Sequence, residues 1–453
     1  MIMSKIVILG NGISGVTAAR FIRKNSLHEI VLISEESEYF FSRTALMYVY
    51  MGHMRWQDIQ PYEQGFWKKN KIDLIQARAE RIQFDNKFIQ LDNGSTVHYD
   101  FLIIASGSKS NKYGWPGQDL AGVRGLYHKQ DLEYLAHRSS GIRRAVIVGG
   151  GLIGIELAEM FQSRNIAVSF LVREAQFWSM ILPDEESKMI SRHILEHGID
   201  LRLSCQLKEI NGDEAGKVHS VTLDSGEEIK CEYVGLTAGV SPNIDFIRSA
   251  EIETDRGILV DEYLRTNIPD VFAIGDCAQL RKPRKGRRDI EAVWYTGRMM
   301  GECVAQTICG KPQIYDPGIW FNSAKFFDIE YQVYGQVPAV MTEDLESFYW
   351  EHKDGKKSIR IVYEKMHQTV VGFNLMGIRF RHEVCDQWIQ MKCPVEKVLE
   401  DIRLAFFDPE FYEDYSAELL QVYEMKTGHK IQLKAAWNLD EVNYFLIRKN
   451  QKI

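Results

Sequence analysis

The hydrophobic positions of this chain form short continuous runs that alternate with segments of helical periodicity. The first segment, KIVILGNGISGVTAARFIRKN, predicts a buried strand, a glycine turn and an amphipathic helix, and EIVLIS follows as a second strand. The runs FLIIASG and AVIVGGG have the uninterrupted apolar character of strands in a parallel sheet. From the second of these runs, the series strand, turn, helix, strand begins again. This alternation predicts an α/β fold built from two such units.

Beyond about residue 315 the character of the chain changes. The segments WFNSAKFFDIEYQVYG and SIRIVYEKMHQTVVGFNLMG are typical of strands in an antiparallel sheet, and acidic, helix-like segments follow towards residue 425. The sequence contains no short-period repeat and no low-complexity tract. We therefore expect a third, structurally different part after the two α/β units.

Composition and charge narrow the class of protein. Of the 453 residues, 45% are hydrophobic and 26% are charged, and the formal net charge of −7 argues against nucleic acid as the main partner. Glycines end the N-terminal apolar run early, and no stretch approaches the roughly 18 apolar residues that cross a bilayer. The seven cysteines are scattered and form no C-x-x-C motif, which is typical of a reducing compartment. We expect a cytoplasmic protein without a transmembrane segment.

Two glycine-rich turns carry the first chemical signal. The pattern G-x-G-x-x-G follows a predicted strand and opens a predicted helix twice, at Gly10, Gly12, Gly15 and at Gly149, Gly151, Gly154. The first glycine makes the bend, the second lets the backbone approach a pyrophosphate, and the third lets helix and strand pack closely. Glu35 or Glu36, about 20 residues after the first turn, can accept hydrogen bonds from an adenosine ribose. One isolated match is compatible with a turn that binds nothing, whereas two in the same context predict two dinucleotide sites.

Four motifs stand in an order and spacing known from one group of flavoproteins: GNGISG, YDFLIIASGS…PG, VIVGGGLIGIELAE and TNIPDVFAIGDCAQL. Over about residues 4 to 310 the chain resembles the pyridine nucleotide–disulfide oxidoreductase superfamily. The resemblance implies that the first turn binds FAD, that the second binds NAD(P)H, and that Asp276 holds the ribityl chain of the flavin. The other residues that it implies are Ser14, Glu35, Ala79, Ala105, Ser106, Gly107, Gly275 and Trp294 for FAD, and Ile153 and Gly239 for NAD(P)H. For Trp294 two interpretations are open: it covers the flavin ring, or it fills the interface.

The same resemblance predicts the domain organisation. Two Rossmann-like dinucleotide-binding domains are expected, followed by an α+β C-terminal domain that forms the interface of a homodimer. The FAD-binding domain is predicted to be discontinuous, with residues 1–112 and 242–312, and the NAD(P)-binding domain to span residues 113–241. The interface domain is predicted to span residues 313–453, although the last 60 or so residues resemble nothing in the family.

The stretch EYFFSRTALMYVYMG, residues 38–52, departs from part of the superfamily because it contains no cysteine. No cysteine precedes Cys205, so a thiol relay in the usual place after the second strand is excluded. The stretch is more similar to the cysteine-free branch: ferredoxin and rubredoxin reductases, the flavin part of nitrite reductase, and apoptosis-inducing factor. Arg43 matches the arginine of that branch, whereas its two prolines and its lysine are replaced. Two interpretations are open: a pocket wall in which Arg43 reaches the flavin or its phosphates, and an aromatic core cluster.

Arg173 and Glu156 bear on the nicotinamide nucleotide. In SFLVREAQFW, Val172 stands at the end of the second strand of the NAD(P) unit and Arg173 follows it. An arginine there can pair with a 2′-phosphate, which favours NADPH; the alternative is a solvated surface side chain, so we predict only NAD(P)H. Glu156 follows the second glycine turn and is predicted to orient the nicotinamide carboxamide, or else to serve the helix start as an acid.

The stretch RKPRKGRRD carries six basic residues between positions 281 and 288. It is predicted either to dock an acidic electron-acceptor protein or to form a solvated loop tip. Together these features predict an FAD-dependent NAD(P)H oxidoreductase that passes electrons to an acidic protein, a quinone or oxygen without a redox-active cysteine. The alternative is a slowly turning-over, redox-sensing interaction protein that resembles apoptosis-inducing factor. No catalytic residue is assigned, and no metal site is predicted.

Overall fold

The computed structural model describes residues 3–247, 251–407 and 413–434. The chain divides into two compact units, each of which is built from two separate segments. Unit 1 comprises Met1–Leu171 and Gln206–Pro317, and unit 2 comprises Val172–Cys205 and Gly318–Ile453. The three predicted domain boundaries and the predicted homodimer stay predictions.

The strands and helices are as follows. The strands up to residue 110 are β1 Lys5–Leu9, β2 Glu29–Ser34, β3 Ile72–Gln76, β4 Ala79–Gln83, β5 Phe88–Leu91, β6 Thr96–His98, β7 Phe101–Ile104 and β8 Ser108–Ser110. The next strands are β9 Val123–Arg124, β10 Arg144–Val148, β11 Ala167–Leu171, β12 Asp200–Arg202, β13 Leu207–Gly212, β14 Val218–Leu223, β15 Glu228–Lys230, β16 Tyr233–Leu236, β17 Val240–Pro242, β18 Ile258–Val260, β19 Val271–Ala273 and β20 Ala278–Leu280. The last strands are β21 Phe321–Phe326, β22 Ile329–Gly335, β23 Leu345–Glu351, β24 Ser358–Glu364 and β25 Val370–Met376. The helices are α1 Ile13–Asn25, α2 Leu46–Tyr50, α3 Gln64–Lys69, α4 Lys129–Arg138, α5 Leu152–Gln162, α6 Asp184–Glu196, α7 Trp294–Ile308, α8 His382–Gln390, α9 Val395–Glu400 and α10 Ser416–Thr427.

Unit 1 contains two parallel sheets of the same construction. In the first, with strand order β19-β7-β1-β2-β3, the central strand β1 pairs in parallel with β2 and β7. In the second, β10 pairs in the same way with β11 and β16, and β9 lies beyond β16. The continuous apolar run of β1 is explained by burial on both faces, since Ile6, Val7 and Ile8 are all 0% exposed. The two predicted α/β units are therefore confirmed.

Unit 2 is built around an antiparallel sheet with strand order β21-β22-β25-β24-β23. Helices α8, α9 and α10 supply many of the apolar side chains that pack on it, and Trp350, Phe373 and Trp388 are among the most deeply buried. This confirms the predicted change to an α+β arrangement. Residues 408–412 and 435–453 of the predicted C-terminal domain lie outside the described residues.

Helix α6 belongs to unit 2, although its sequence lies within the stretch predicted to be the NAD(P)-binding domain. It is joined to the antiparallel sheet by Glu186, which is 0% exposed and accepts two hydrogen bonds of 2.8 Å from the guanidinium of Arg360 on β24. No helix among the described residues combines the length and apolar character that a bilayer span needs.

Candidate dinucleotide-binding sites

The first glycine turn lies in unit 1 between β1 and α1, and its three glycines have different surroundings. Gly10 has a φ of 113°, and a Cβ atom there would lie 2.1 Å from the carbonyl oxygen of Ala105. At Gly15, a Cβ atom would lie 2.0 Å from the carbonyl oxygen of Gly10. At Gly12, it would meet nothing within 4 Å. The chain's own packing therefore requires glycine at the first and third positions but not at the second.

The start of α1 is suited to bind an anion. Gly12 is the N-cap residue, no side chain caps the helix, and the first turn carries no acidic residue. The first amide groups of a helix have no partner within the helix, and the helix dipole favours negative charge there. Ser14 is buried beside this turn, and α7 approaches it closely because a Cβ atom at Gly297 would lie 2.5 Å from the Ser14 Oγ.

The second glycine turn repeats this construction between β10 and α5. Gly149 has a φ of 118°, and a Cβ atom there would lie 2.7 Å from backbone atoms of Thr237. At Gly154, a Cβ atom would lie 2.5 Å from the carbonyl oxygen of Gly149, whereas at Gly151 it would meet nothing within 4 Å. The second glycine again leaves open space at the uncapped start of a helix.

The other residues predicted for the second site lie in different places. Ile153 and Glu156 are half-buried on α5. Gly239 follows β16 with a φ of 94°, and its carbonyl oxygen accepts a hydrogen bond of 3.1 Å from the amide of Asn111. Arg173 belongs to unit 2, where it is exposed and its guanidinium lies 2.9 Å from the carboxylate of Glu174.

Asp276 follows β19 in the same unit as the first turn, and its carboxylate is held by two hydroxyl groups. Its Oδ2 accepts hydrogen bonds from the Ser108 Oγ, at 3.0 Å, and from the Tyr127 hydroxyl, at 3.2 Å. Burial raises the pKa of Asp276, and the two hydrogen bonds oppose this shift. Gly275 before it has a φ of 73°, which glycine adopts without strain.

Arg43 is connected to this carboxylate through Tyr127. Its guanidinium lies 4.5 Å from the centre of the Tyr127 ring and donates to the Tyr127 carbonyl oxygen. It also makes two hydrogen bonds, of 2.9 and 2.6 Å, to the carboxylate of Glu36. Burial would raise the pKa of Glu36, but hydrogen bonds from His128, Arg43 and the Lys129 amide outweigh it and lower this pKa to about 2.

Of the two acids predicted at the end of β2, Glu36 is therefore occupied by Arg43, whereas Glu35 is exposed. Several apolar residues of the surrounding stretch are buried in unit 1: Phe40, Phe41, Leu46, Met47 and Tyr50. The Tyr50 hydroxyl lies 2.7 Å from the Ser139 Oγ. The aromatic side chains are thus mainly core, and Arg43 is the residue of the stretch that reaches the Asp276 network.

The remaining predicted FAD residues also lie in unit 1. The Ser106 Oγ donates a hydrogen bond of 2.7 Å to the carbonyl oxygen of Asn243, and the Gly107 carbonyl oxygen accepts one of 2.9 Å from the Asn243 amide. Ala79 begins β4 and is partly buried against the core. Trp294 begins α7 and is half-buried. Two residues that contact Asp276 were not predicted from the sequence. Tyr127 stands in no motif, whereas Ser108 directly follows the predicted Gly107 and could have been found from that position.

The basic stretch forms an exposed loop between β20 and α7, in which three of the six basic side chains are paired with acids. Arg281 pairs with Glu253, Arg284 with Asp316, and Arg287 with Glu291. The pair of Arg287 and Glu291 is only 5% and 6% exposed. Lys282, Lys285 and Arg288 are exposed and pair with no acid among the described residues. The freely available positive charge of the loop is therefore smaller than its composition predicts, and Arg287 is part of the structure rather than of the surface.

Comparisons with known proteins agree with the presence of two dinucleotide-binding units. The family described as "Pyridine nucleotide-disulphide oxidoreductase" matches residues 4–301, and members of this family use FAD and NAD(P)H. The assimilatory nitrate reductase electron transfer subunit of Bacillus subtilis (strain 168) is 28% identical over 311 residues, which are 68% of this chain and 39% of the relative. Rhodocoxin reductase of Rhodococcus erythropolis is 29% identical over 325 residues, 71% of this chain and 76% of the relative.

Among solved structures, the ferredoxin reductase of the CYP199A2 system from Rhodopseudomonas palustris has a similar fold. The TM-score is 0.75 at 23% sequence identity, with 82% of this chain and 91% of the other covered. The chain spans about two fifths of the nitrate reductase subunit and about three quarters of the rhodocoxin reductase.

Proposed function

Because the chain belongs to the pyridine nucleotide-disulphide oxidoreductase family, we propose that it is an FAD-dependent NAD(P)H oxidoreductase. It delivers electrons to an external acceptor protein without a redox-active cysteine. The observation that carries this proposal is the matched construction of the two glycine turns. In each, the first and third glycines are required by backbone contacts within the chain, while the second leaves open space at an uncapped helix start.

The residues at the first turn fit FAD. The amides at the start of α1 bind the pyrophosphate, which approaches over Gly12. Glu35, exposed at the end of β2, accepts hydrogen bonds from the adenosine ribose, and Asp276 accepts them from the ribityl hydroxyls. When bound, FAD supplies the centre that accepts a hydride equivalent from NAD(P)H and releases electrons.

Arg43 acts in this site by positioning other groups. Because Glu36 compensates its charge, the guanidinium is not a free counter-ion for a phosphate. It holds the Tyr127 ring, whose hydroxyl in turn donates to the carboxylate of Asp276. The contacts thus support a role in orienting Asp276.

Two observations argue against a thiol relay in this chain. No cysteine precedes Cys205. Cys277 is adjacent to Asp276, but it is 0% exposed, its thiol donates towards backbone carbonyl groups, and burial raises its pKa. Since the thiolate is the reactive form, this cysteine is inert.

The acceptor that we propose is a small acidic electron-transfer protein. The similar proteins include an electron transfer subunit and a rhodocoxin reductase, which favours a protein acceptor. Lys282, Lys285 and Arg288 offer an exposed, positively charged docking surface for it. The nicotinamide nucleotide is proposed only as NAD(P)H, since Arg173 is already paired with Glu174.

Anaerobic stopped-flow spectroscopy tests this function. The purified chain, reconstituted with FAD, is mixed with NADH or NADPH and then with an acidic ferredoxin, a rubredoxin, a neutral quinone or oxygen. We expect rapid bleaching of the flavin band and fast re-oxidation by one of the protein acceptors. A well-folded chain that cannot bind FAD would refute the proposal. Re-oxidation that is slow with every acceptor would instead support the redox-sensing alternative.

A further inference from the structure

Two histidines and one aspartate of unit 2 form a cluster that the proposed function does not use. His193 and His197 stand four residues apart at the C-terminal end of α6, so both side chains lie on the same helix face. Asp328 lies at the tip of the hairpin between β21 and β22. One ligand atom from each of the three residues lies within 4.8 Å of the others, and no other group of this kind occurs among the described residues.

The hydrogen bond at Nδ1 defines the tautomer of His197. Its Nδ1 lies 2.9 Å from the carbonyl oxygen of His193, which can only accept, so this nitrogen carries the proton. Its Nε2 therefore presents a lone pair, and it lies 3.6 Å from the Asp328 Oδ1. A lone pair and a carboxylate oxygen repel each other, and a cation bound between them would turn this repulsion into two favourable contacts.

His193 provides an independent indication. It is 1% exposed, and neither ring nitrogen makes a well-formed hydrogen bond with a described residue. Its Nε2 is nevertheless 2.5 Å from the Asp328 Oδ1, and its Nδ1 is 3.6 Å from the Glu196 carboxylate. Buried polar groups are normally satisfied, and leaving one without a partner costs about 1–3 kcal/mol. A cation bound at Nε2 would satisfy that nitrogen and fix the proton on Nδ1, which faces the Glu196 carboxylate.

The hairpin is built so that Asp328 faces the histidines. Its two-residue turn, Phe327 and Asp328, places Phe327 at a φ of 54°, where a bulky aromatic residue is uncommon. The Phe327 ring stacks on the His197 ring at 4.2 Å. Lys356 lies 3.0 Å from the Oδ2 of Asp328, which leaves Oδ1 for the histidine side.

We propose that His193 Nε2, His197 Nε2 and Asp328 Oδ1 form a binding site for a divalent transition-metal ion such as zinc. Two imidazoles and one carboxylate are a donor set that zinc accepts, with water completing the coordination. Around a tetrahedral ion such donors lie about 3.4 Å apart, which the spacing of His197 and Asp328 matches. The shorter contact of His193 would have to open by about 1 Å to reach this spacing, and the Asp328 side chain has room to rotate because it is 56% exposed. The ion would connect α6 to the β21–β22 hairpin within unit 2.

Zinc binding to the untagged, metal-free chain tests this site. Competition with a chromogenic chelator measures affinity and stoichiometry, and the thermal unfolding midpoint provides a second readout. We expect one zinc ion per chain and a higher midpoint, since a ligand that binds only the folded state stabilises it. A hundredfold excess of magnesium should change neither readout, because magnesium prefers oxygen ligands.

Two variants and a matched control decide the outcome. His197→Gln and Asp328→Asn should each lower zinc affinity by about tenfold or more, as even outer-shell substitutions commonly do. Both residues are at least partly exposed, so the variants should fold. His219→Gln changes an exposed histidine of β14 and should leave binding unchanged. Wild-type chain that binds no zinc at micromolar concentration, or variants that bind it equally well, would overturn the proposal and leave Asp328 as an ion-pair partner of His193.

Discussion

At the scale of single residues, the second glycine of each turn is expected to serve ligand binding, whereas the first and third are needed for folding. A methyl group at Gly12 or Gly151 meets no atom of the chain, so alanine is expected to fold normally at both positions. In the proposed sites, the same group would lie where the pyrophosphate approaches. Gly12→Ala should therefore lose FAD, while Gly151→Ala should retain FAD and raise the KM for NAD(P)H. If one charged hydrogen bond is lost, affinity falls by roughly 10- to 150-fold, or about 1.5–3 kcal/mol.

Absorbance of bound flavin, circular dichroism and steady-state kinetics measure these effects. Gly10→Ala is the contrasting variant, because its Cβ atom would collide with Ala105 and the protein should fold poorly. A Gly12→Ala variant with full flavin occupancy would show that no pyrophosphate passes this residue.

The ion pair of Glu36 and Arg43 should make the stability of the folded chain depend on pH. The pKa of Glu36 is about 2 in the folded chain and near its ordinary value of 4.5 when unfolded. Between these values the unfolded state binds more protons, so the contribution of Glu36 is complete above about pH 4.5 and is lost as the pH falls towards 2. The unfolding midpoint of Glu36→Gln should therefore lie below that of the wild type at pH 6, and the two should converge as the pH falls to about 2. A difference that is independent of pH would contradict this assignment.

At the scale of elements, α6 is fastened to the antiparallel sheet by a buried ion pair. Arg360 is 4% exposed, and its guanidinium contacts Glu185, Glu186 and the Ser347 Oγ. Arg360→Leu leaves the charge of Glu186 buried without a cationic partner and with only the Asn374 amide donating to it, and breaking a buried pair in this way costs about 3–5 kcal/mol. We expect a clearly lower midpoint in thermal and denaturant unfolding. The double variant Arg360→Leu/Glu186→Leu should recover much of the loss, because it removes both charges, and failure to recover would mean that packing rather than charge is responsible.

Features encoded within one element or junction could be predicted from the sequence, whereas contacts between distant elements could not. The glycine turns were predictable because each is encoded by neighbouring residues within one strand–helix junction. Tyr127 was not, since its hydroxyl reaches Asp276 across 149 positions of the chain. The association of Glu186 with Arg360 joins positions 174 residues apart, and no local pattern indicates it. The positive charge of the basic stretch could be predicted from its composition. The pairing of Arg287 with Glu291 could not, because it depends on how the backbone folds.

At the scale of the whole molecule, the net charge of −7 contrasts with the basic loop. An acidic partner is repelled by most of such a surface and attracted by a small part of it, which orients its approach. Since Arg281, Arg284 and Arg287 are neutralised by neighbouring acids, the attraction has to come from Lys282, Lys285 and Arg288. The docking hypothesis is therefore tested by these three residues alone.

Replacing Lys282, Lys285 and Arg288 together by glutamine should slow electron delivery to an acidic acceptor protein by about tenfold at low salt. Reduction by NAD(P)H and the rate with a neutral quinone should stay unchanged. The wild-type rate with the protein acceptor should fall as salt rises, because the Debye length shrinks from about 10 Å at 0.1 M to about 3 Å at 1 M. Lys68, Lys69 and Lys71 provide the matched control, since they are equally exposed in unit 1 and their replacement by glutamine changes the net charge by the same amount. If this control slows electron delivery as much as the loop variant does, the net charge of the chain controls the rate and the loop is not the docking surface. If neither variant changes the salt-dependent rate, the loop is a solvated tip and the acceptor docks elsewhere.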